Sequence, residues 1–268
     1  MRHRHLVSLL LCGVVCGGCF QSTTVLTIKA DGSGTIRQRT VVLAAALAQM
    51  KQLAALTGRR AATIDPLSED QARSVAASLG PGVTLVATNA ITTPEGEGRE
   101  STYAFTDVSQ LRVSEQPAAP PDIADRTPGL SNDSPKVSFS LTRSDAGNPV
   151  LHINVPVPAL FVSPDGAGGI NPTVIDQLQA LKVVLAGAHV VLAAEPAGTL
   201  LSTNSAWVEG QRVTLLEIEL DKLLADPEFV ARVRAASTAD AVKAVLKDAP
   251  GLKVTLERDV TIEFTPAR

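Results

Sequence analysis

All three cysteines of this 268-residue chain lie within eight positions, at Cys12, Cys16 and Cys19. They belong to the stretch CGVVCGGCF, and no cysteine occurs after it. A thiolate can act as a nucleophile or a metal ligand, and a thiol can also accept a lipid. The chemistry of this chain therefore depends first on whether these cysteines form a reactive cluster or mark a processing site.

The residues around the cysteines have the layout of a secretory signal. Residues 1–5 are basic, and residues 6–20 carry no charge. A basic segment followed by an apolar one directs export. The polar residues 21–24 end the apolar run before it reaches the ~20 residues that span a bilayer. We therefore expect residues 1–18 to be a signal peptide that is removed.

The end of this signal, Gly17-Gly18-Cys19, resembles the lipobox of bacterial lipoproteins. The resemblance implies cleavage between Gly18 and Cys19, with a diacylglycerol on the Cys19 thiol and often an acyl group on the new amine. One acyl chain anchors only marginally, at about 0.8 kcal/mol per buried methylene, whereas two or three anchor firmly. Cys16 departs from the family pattern, which usually has an aliphatic residue there. The alternative is that all three cysteines are apolar filler.

Export and lipidation limit the other functions of the mature chain. With Cys19 as the last thiol, cysteine catalysis and thiolate zinc are excluded. Loss of Arg2 and Arg4 leaves 22 basic and 27 acidic residues, a net charge of −5, with no basic cluster for nucleic acid. The resemblance implies the bacterial cell envelope. Phe20, in place of the inner-membrane Asp signal, favours the outer membrane, facing the periplasm, in a host with two membranes.

The mature chain has two histidines, His152 and His189. Each lies in a strand-like run, and neither has an acid or a second histidine at a metal-ligand spacing. We expect both to be structural. No motif in the sequence indicates a metal or another cofactor, so none is expected.

Three carboxylates, Glu217, Glu219 and Asp221, alternate along the strand-like run RVTLLEIEL and its following residue. Alternate residues of a strand share a face, so these acids could bind a cation or perform acid/base catalysis. The alternative is the solvated face of an amphipathic strand, with the aliphatic residues between them pointing inward.

A polar loop, LSTNSAWVEG, contains Asn204 and the single tryptophan, Trp207. Binding residues are often carried by loops, so both are candidate contacts for a ligand or partner. The alternative for Trp207 is that it covers a sheet edge.

The elements that position these residues begin with a β-hairpin around Asp31-Gly32-Ser33-Gly34. Ser68 and Gln71 predict a capped helix that runs to Leu79 and ends at the following Gly-Pro-Gly. Asp107 is predicted to cap a short turn. Further strands are predicted at 82–91, 99–106, 137–143, 149–155, 189–196, 199–204, 212–220 and 252–264, and helices at 44–56, 173–186, 228–236 and 238–247.

This alternation predicts an α+β fold, with antiparallel sheets built of hairpins and packed with several short helices. The proline-rich residues 116–135 predict a linker or loop between an N-terminal lobe, 19–115, and a C-terminal lobe, 136–268. SVAASLGPGVTL and AVLKDAPGLKVTL share a helix, Pro-Gly, strand order. The two lobes are thus related, or the likeness is a chance recurrence of helix stops.

The lipobox followed by TTVLTIKADGSGTI, GPGVTLV, YAFTDVSQL and EGQRVTLLEIELD resembles a group of uncharacterised bacterial lipoproteins. A more distant likeness, to mycobacterial LppM-type envelope lipoproteins, implies an α+β ectodomain associated with lipid binding. That likeness includes an Asn-Gly pair near a late strand, and this chain has Ser205 in place of the glycine after Asn204. We expect a lipid-anchored, non-enzymatic ectodomain that binds a protein partner or an envelope lipid. The alternatives are an envelope hydrolase that uses the strand carboxylates, and a structural or assembly subunit of an envelope complex.

Overall fold

The computed structural model describes residues 20–48, 68–113, 136–156, 187–236, 238–255 and 257–267, together with Asp176 and Gln179. The predicted signal peptide, Cys19 and the proline-rich segment lie outside the described residues. So do most of the predicted helices 44–56 and 173–186, although residues 44–48 are helical.

The described residues form an α+β fold, as the sequence predicts. The strands are β1 Phe20–Ile28, β2 Gly34–Leu43, β3 Thr84–Thr93, β4 Gly96–Phe105, β5 Arg112–Val113, β6 Val137–Arg143, β7 Pro149–Asn154, β8 His189–Pro196, β9 Gly198–Thr203, β10 Val208–Glu209, β11 Arg212–Glu219, β12 Leu252–Val254 and β13 Asp259–Pro266. The α-helices are α1 Glu69–Leu79, α2 Leu220–Ala225, α3 Pro227–Ala235 and α4 Ala239–Lys247.

The predicted turn between β1 and β2 is confirmed, and its side chains explain it. The Asp31 carboxylate accepts hydrogen bonds from the Ser33 backbone N–H at 2.9 Å and from its hydroxyl at 2.7 Å. Gly32 has φ 84°, a left-handed conformation that glycine adopts without a steric penalty. The turn holds β1 and β2 antiparallel from Phe20↔Val42 to Ile28↔Gly34.

Two predicted caps are also confirmed. The Ser68 hydroxyl accepts the backbone N–H of Gln71 at 3.1 Å and so begins α1. The Asp107 carboxylate accepts the backbone N–H of Ser109 at 2.9 Å and begins a 3-10 turn, Val108–Gln110. Both caps satisfy backbone donors that would otherwise have no partner at the start of a helical turn.

The strands form two sheets. The first has the order β10-β11-β8-β1-β2-β4-β3, with β12 also beside β11, and the second has the order β5-β6-β7-β13-β9. The β1–β8 pair is parallel, and every other pair of described strands is antiparallel. Both sheets combine strands from before and after the predicted linker, so residues 19–115 and 136–268 do not form separate sheets.

One continuous core joins the two sheets and the helices. Leu26 and Ile36 contribute from the first sheet, Ile153 and Phe264 from the second, and Phe229 from α3, each at most 2% exposed. A fully buried Leu, Ile or Phe contributes about 1.5–3 kcal/mol relative to an exposed one. The aliphatic composition therefore suffices for a core with few aromatic rings.

The C-terminal part differs from the prediction in two ways. The run 252–264, predicted as one strand, is divided into β12, which pairs with β11 in the first sheet, and β13, which pairs with β7 in the second. The helix α2 was not predicted, because its first residue, Leu220, continues the strand pattern of β11. The backbone N–H of Leu220 bonds to Ala188 outside the strand ladder, at the point where the helix begins.

Replacing the capping residue tests the start of α1. We expect Ser68→Ala to lower the free energy of unfolding by about 1 kcal/mol, because it removes the acceptor for the Gln71 N–H. Ser74→Ala is the matched control, since Ser74 is exposed within the same helix. Alanine is the better helix former there, so that change should be neutral or stabilising by up to about 0.5 kcal/mol. Urea unfolding measures both, and equal losses would contradict the cap.

Candidate functional site

Two of the three predicted carboxylates share the last part of β11. Glu217 pairs with Val191 and Glu219 with His189, so both point to one face of the first sheet. The placement of Asp221 on this strand was wrong. Asp221 lies in the first turn of α2 and is exposed, because β11 ends at Glu219. An acidic residue is favourable there because it faces the positive end of the helix dipole.

Glu217 is the centre of a chain of three titratable groups. Its Oε2 accepts a hydrogen bond from Lys253 Nζ at 2.8 Å, across the β11–β12 pair. Its Oε1 lies 3.4 Å from Nε2 of His189, on the neighbouring strand β8. That Nε2 atom is buried and has no hydrogen bond of good geometry. The Glu217 side chain is only 17% exposed, so this ion pair is largely shielded from solvent.

The electrostatics of Glu217 favour its charged form. Burial raises the pKa of this carboxyl, but the hydrogen bond and charge of Lys253, together with His189, outweigh burial and leave the pKa lowered. The same hydrogen bond raises the pKa of Lys253. Glu217 is therefore ionised near neutrality and already paired. A general acid needs a raised pKa, and a cation would have to displace Lys253.

The other acid of this strand is also paired. Glu219 accepts a hydrogen bond from Lys222 of α2 at 2.7 Å. Within the described residues, no group of three or more His, Cys, Asp or Glu side chains is arranged to hold a metal ion. The geometry of Glu217 and Glu219 thus supports an ion-paired sheet face better than a cation site.

The expectation of a simple amphipathic strand describes β11 only in part. Val213, Thr214, Leu215 and Leu216 are all buried, although alternate residues of a strand point to opposite faces. A register shift between Thr214 and Leu216 contributes to this pattern. The first sheet therefore buries both faces of this strand, and Glu217 lies where one of them meets solvent.

His152 lies in a second polar group, on the five-stranded sheet. Its Nε2 is 3.1 Å from Thr142 Oγ1, and its Nδ1 is 3.5 Å from Asp259 Oδ2. The order hydroxyl, imidazole, carboxylate is that of a nucleophilic triad. However, the side chains of His152 and Asp259 are 32% and 58% exposed, so solvent screens their interaction. The group links three strands and is best described as a surface network.

No short motif in the sequence indicates Thr142 or Asp259 as partners of His152. Thr142 could have been found from the predicted hairpin, because it pairs with Val150, and His152, two residues farther along β7, is its diagonal neighbour on the same face. Asp259 could not, since β13 reaches β7 from more than 100 residues away in the sequence.

Asn204 binds the protein's own backbone. Its side-chain amide donates to the Asp259 carbonyl at 2.9 Å, and its carbonyl oxygen accepts the Thr261 N–H at 2.8 Å. These two bonds extend the β9–β13 ladder by one position. Both polar ends of Asn204 are occupied, so its geometry supports a structural role.

Trp207 lies against a sheet edge, in line with the alternative interpretation of this residue. Its indole Nε1–H donates to the Val254 carbonyl at 3.2 Å, at the end of β12. Its own carbonyl accepts the N–H of Thr214 on β11 at 2.9 Å. Trp207 therefore fixes the loop between β9 and β10 to the first sheet.

The other long edge of the first sheet is the exposed strand β3. It has ten residues, none of them charged, and β4 is its one partner among the described strands. Val86, where its register shifts, is 63% exposed. Natural sheets usually protect such an edge with charges, prolines or a covering segment. The other edges are short or, in β9, receive a side chain, since Gln211 Oε1 accepts the Leu200 N–H at 2.6 Å.

None of the helices in the described parts of the chain combines the length and apolar character needed to cross a membrane.

Comparisons with known proteins yield one structural likeness. No family model matches the chain, and no curated protein matches it. A solved structure, the NMR structure of the folded domain of the Mycobacterium tuberculosis LppM protein, aligns with a TM-score of 0.32 and 11% identity. The alignment covers 94% of this chain and 92% of that domain. A TM-score this low does not establish a shared fold.

Replacing Glu217 tests whether it serves as an ion-pair partner. We expect Glu217→Gln to lower the free energy of unfolding by about 1 kcal/mol near neutral pH, because Lys253 loses its charged acceptor. The folded-state pKa of Glu217 is lowered. Its stabilisation is therefore complete above the ordinary glutamate pKa of about 4.3 and is lost as the pH falls through the folded-state value.

The measurement is urea unfolding at about pH 7 and about pH 3, on either side of the ordinary glutamate pKa. Glu219→Gln is the control, and should cost at most about 0.5 kcal/mol because its partner Lys222 is exposed. A Glu217→Gln loss that persists unchanged at the lower pH would show that the carboxylate charge is not the cause.

Proposed function

We propose that this chain is a lipid-anchored lipoprotein of the bacterial cell envelope, with a non-enzymatic ectodomain that binds a partner protein. The observation that carries the proposal is the start of β1. The strand begins at Phe20, the residue that follows Cys19, and it lies in the middle of the first sheet. Acylation of Cys19 would therefore place the anchor directly beside a central strand of the first sheet.

The charge of the mature chain supports an acyl anchor over electrostatic adhesion. At a net charge of −5 the ectodomain is repelled by anionic lipid, so acyl chains on Cys19 would have to hold it. We further propose the outer membrane, facing the periplasm, in a host with two membranes, since Phe20 stands where the inner-membrane signal would be Asp.

The proposal of a non-enzymatic ectodomain rests on the ion pairing and solvent exposure of the candidate catalytic side chains. Glu217 and Glu219 are ion-paired, Asp221 is on a separate element, and the His152 network is exposed to solvent. A hydrolase would need a carboxyl with a raised pKa or a free one beside a bound water. The pKa of Glu217 is lowered and its carboxylate is bound by Lys253, while Glu219 is bound by Lys222.

The anchor is tested by mass spectrometry of the mature N-terminus. We expect cleavage before Cys19 and a mass increase equal to a diacylglyceryl group, with or without an amide-linked acyl chain. Cys19→Ser should abolish the lipid and leave the uncleaved precursor, while Cys16→Ser, the matched control, should leave processing unchanged. Retention of Met1 or an unmodified Cys19 in the wild-type protein would refute the proposal.

The exposed edge of β3 supports a protein as the partner. Unpaired backbone groups along a strand bind an added strand through main-chain hydrogen bonds. Because β3 carries no charge, the segment it fits is an extended, uncharged stretch of another protein. An envelope lipid, the alternative partner, would instead require an apolar cavity.

Charging this edge tests the partner. We expect Ala90→Lys to abolish crosslinking of the partner in intact cells, because an edge lysine opposes strand addition. Ala146→Lys makes the same change at another exposed alanine, in the β6–β7 turn, and should have no effect. Equal crosslinking in both variants would exclude the edge. Recovery of one stoichiometric protein would favour an assembly subunit, and recovery of lipid alone would contradict a protein partner.

A further inference from the structure

The position of the proposed anchor relative to the sheet has a consequence for how the ectodomain meets the membrane. This inference rests on the proposed acylation of Cys19. Cys19 is covalently next to Phe20, and consecutive Cα atoms are about 3.8 Å apart. No linker therefore separates the acyl chains from the first residue of β1. The end of the sheet at Phe20 must lie at the lipid surface.

The lateral position of β1 limits tilting. In the order β10-β11-β8-β1-β2-β4-β3, three strands lie on each side of β1. At about 4.8 Å between strands, the sheet extends about 14 Å to either side of the anchor. Tilting in the plane of the sheet would push the strand ends on one side into the headgroups. A centrally anchored sheet therefore stands with its strands upright.

The register identifies the elements that reach the lipid surface. Phe20 pairs with Val42, which pairs with Glu97 of β4. On the other side, Gln21 pairs with His189, which pairs with Glu219 of β11. The β3–β4 turn and the start of α2 thus lie at the Phe20 end of the sheet.

Several charged side chains lie at the Phe20 end of the sheet. Glu95, Glu97, Glu219 and Asp221 are acidic. Lys222 is paired with Glu219, and Lys253 and Arg99 lie two positions farther from this end, opposite Glu217 and Thr40. Anionic headgroups would repel such a surface. These four carboxylates do not contribute to adhesion, and the proposed orientation rests on the covalent anchor.

We propose that the β3–β4 turn and the β11–α2 junction form the membrane-facing end of the ectodomain, with the strands of the first sheet upright on the bilayer. The DGSG turn is then the distal end. From Phe20 to Ile28, β1 rises about 26 Å at 3.3 Å per residue. The edge of β3 runs along this height, and no other described strand pairs with it, so a partner could reach it from the side.

Single-cysteine labelling tests this orientation in the acylated protein. The mature chain has no cysteine after Cys19, so Glu97→Cys, Asp221→Cys, Lys29→Cys and Glu209→Cys each give one reactive thiol at an exposed position. Each variant, carrying a fluorophore, is placed in phosphatidylcholine vesicles that contain nitroxide-labelled headgroups. We expect several-fold stronger quenching at positions 97 and 221 than at 29 and 209, and similar quenching at 97 and 221.

Two further results define the outcome. A Gly-Ser linker of about 20 residues between Cys19 and Phe20 spans about 25 Å on average and should abolish the difference. Acylated protein with equal quenching at all four positions, with strong quenching on one side of β1 alone, or with a difference that survives the linker, overturns the orientation. Absence of acyl chains on Cys19 by mass spectrometry overturns the proposed function itself, and the orientation with it.

Discussion

The parallel pairing of β1 with β8 is the contact on which this architecture depends. It runs from Gln21↔His189 to Ile28↔Pro196 and joins strands that are 168 residues apart in the chain. Without it the first sheet would divide into one four-stranded half from the N-terminal residues and another from the C-terminal residues. Val25 and Ala193, which pair across β1 and β8, are 3% and 0% exposed. This contact is therefore as well buried as the core.

The same join explains why charged groups cluster beside it. His189 begins β8, and the next strand, β11, brings Glu217 alongside. Lys253 then reaches Glu217 from β12. A carboxylate that is mostly removed from water needs such a partner. The order of the strands therefore brings Glu217 and its partners together, and their ion pairs stabilise the surface of the sheet.

Local signals in the sequence predicted most of the elements. Asp31, Ser68 and Asp107 each form their hydrogen bond within three residues, so a short pattern contains all the information. The division of 252–264 between two sheets depends on contacts with β11 and β7, which no local pattern encodes. The helix α2 was missed for a related reason, since Leu220 continues the alternation of β11. Of the candidate site, Glu217 and Glu219 were correctly expected on one strand face, while their pairing with Lys253 and Lys222 required the fold.

The position of β13 affects the order in which the protein can fold. This final strand lies between β7 and β9, in the interior of the second sheet. That sheet therefore cannot close until residues 259–266 are available. A chain that crosses a membrane with its N-terminus first would leave the second sheet incomplete until residues 259–266 had emerged. For the lipoprotein proposed above, closure of the second sheet would thus follow export.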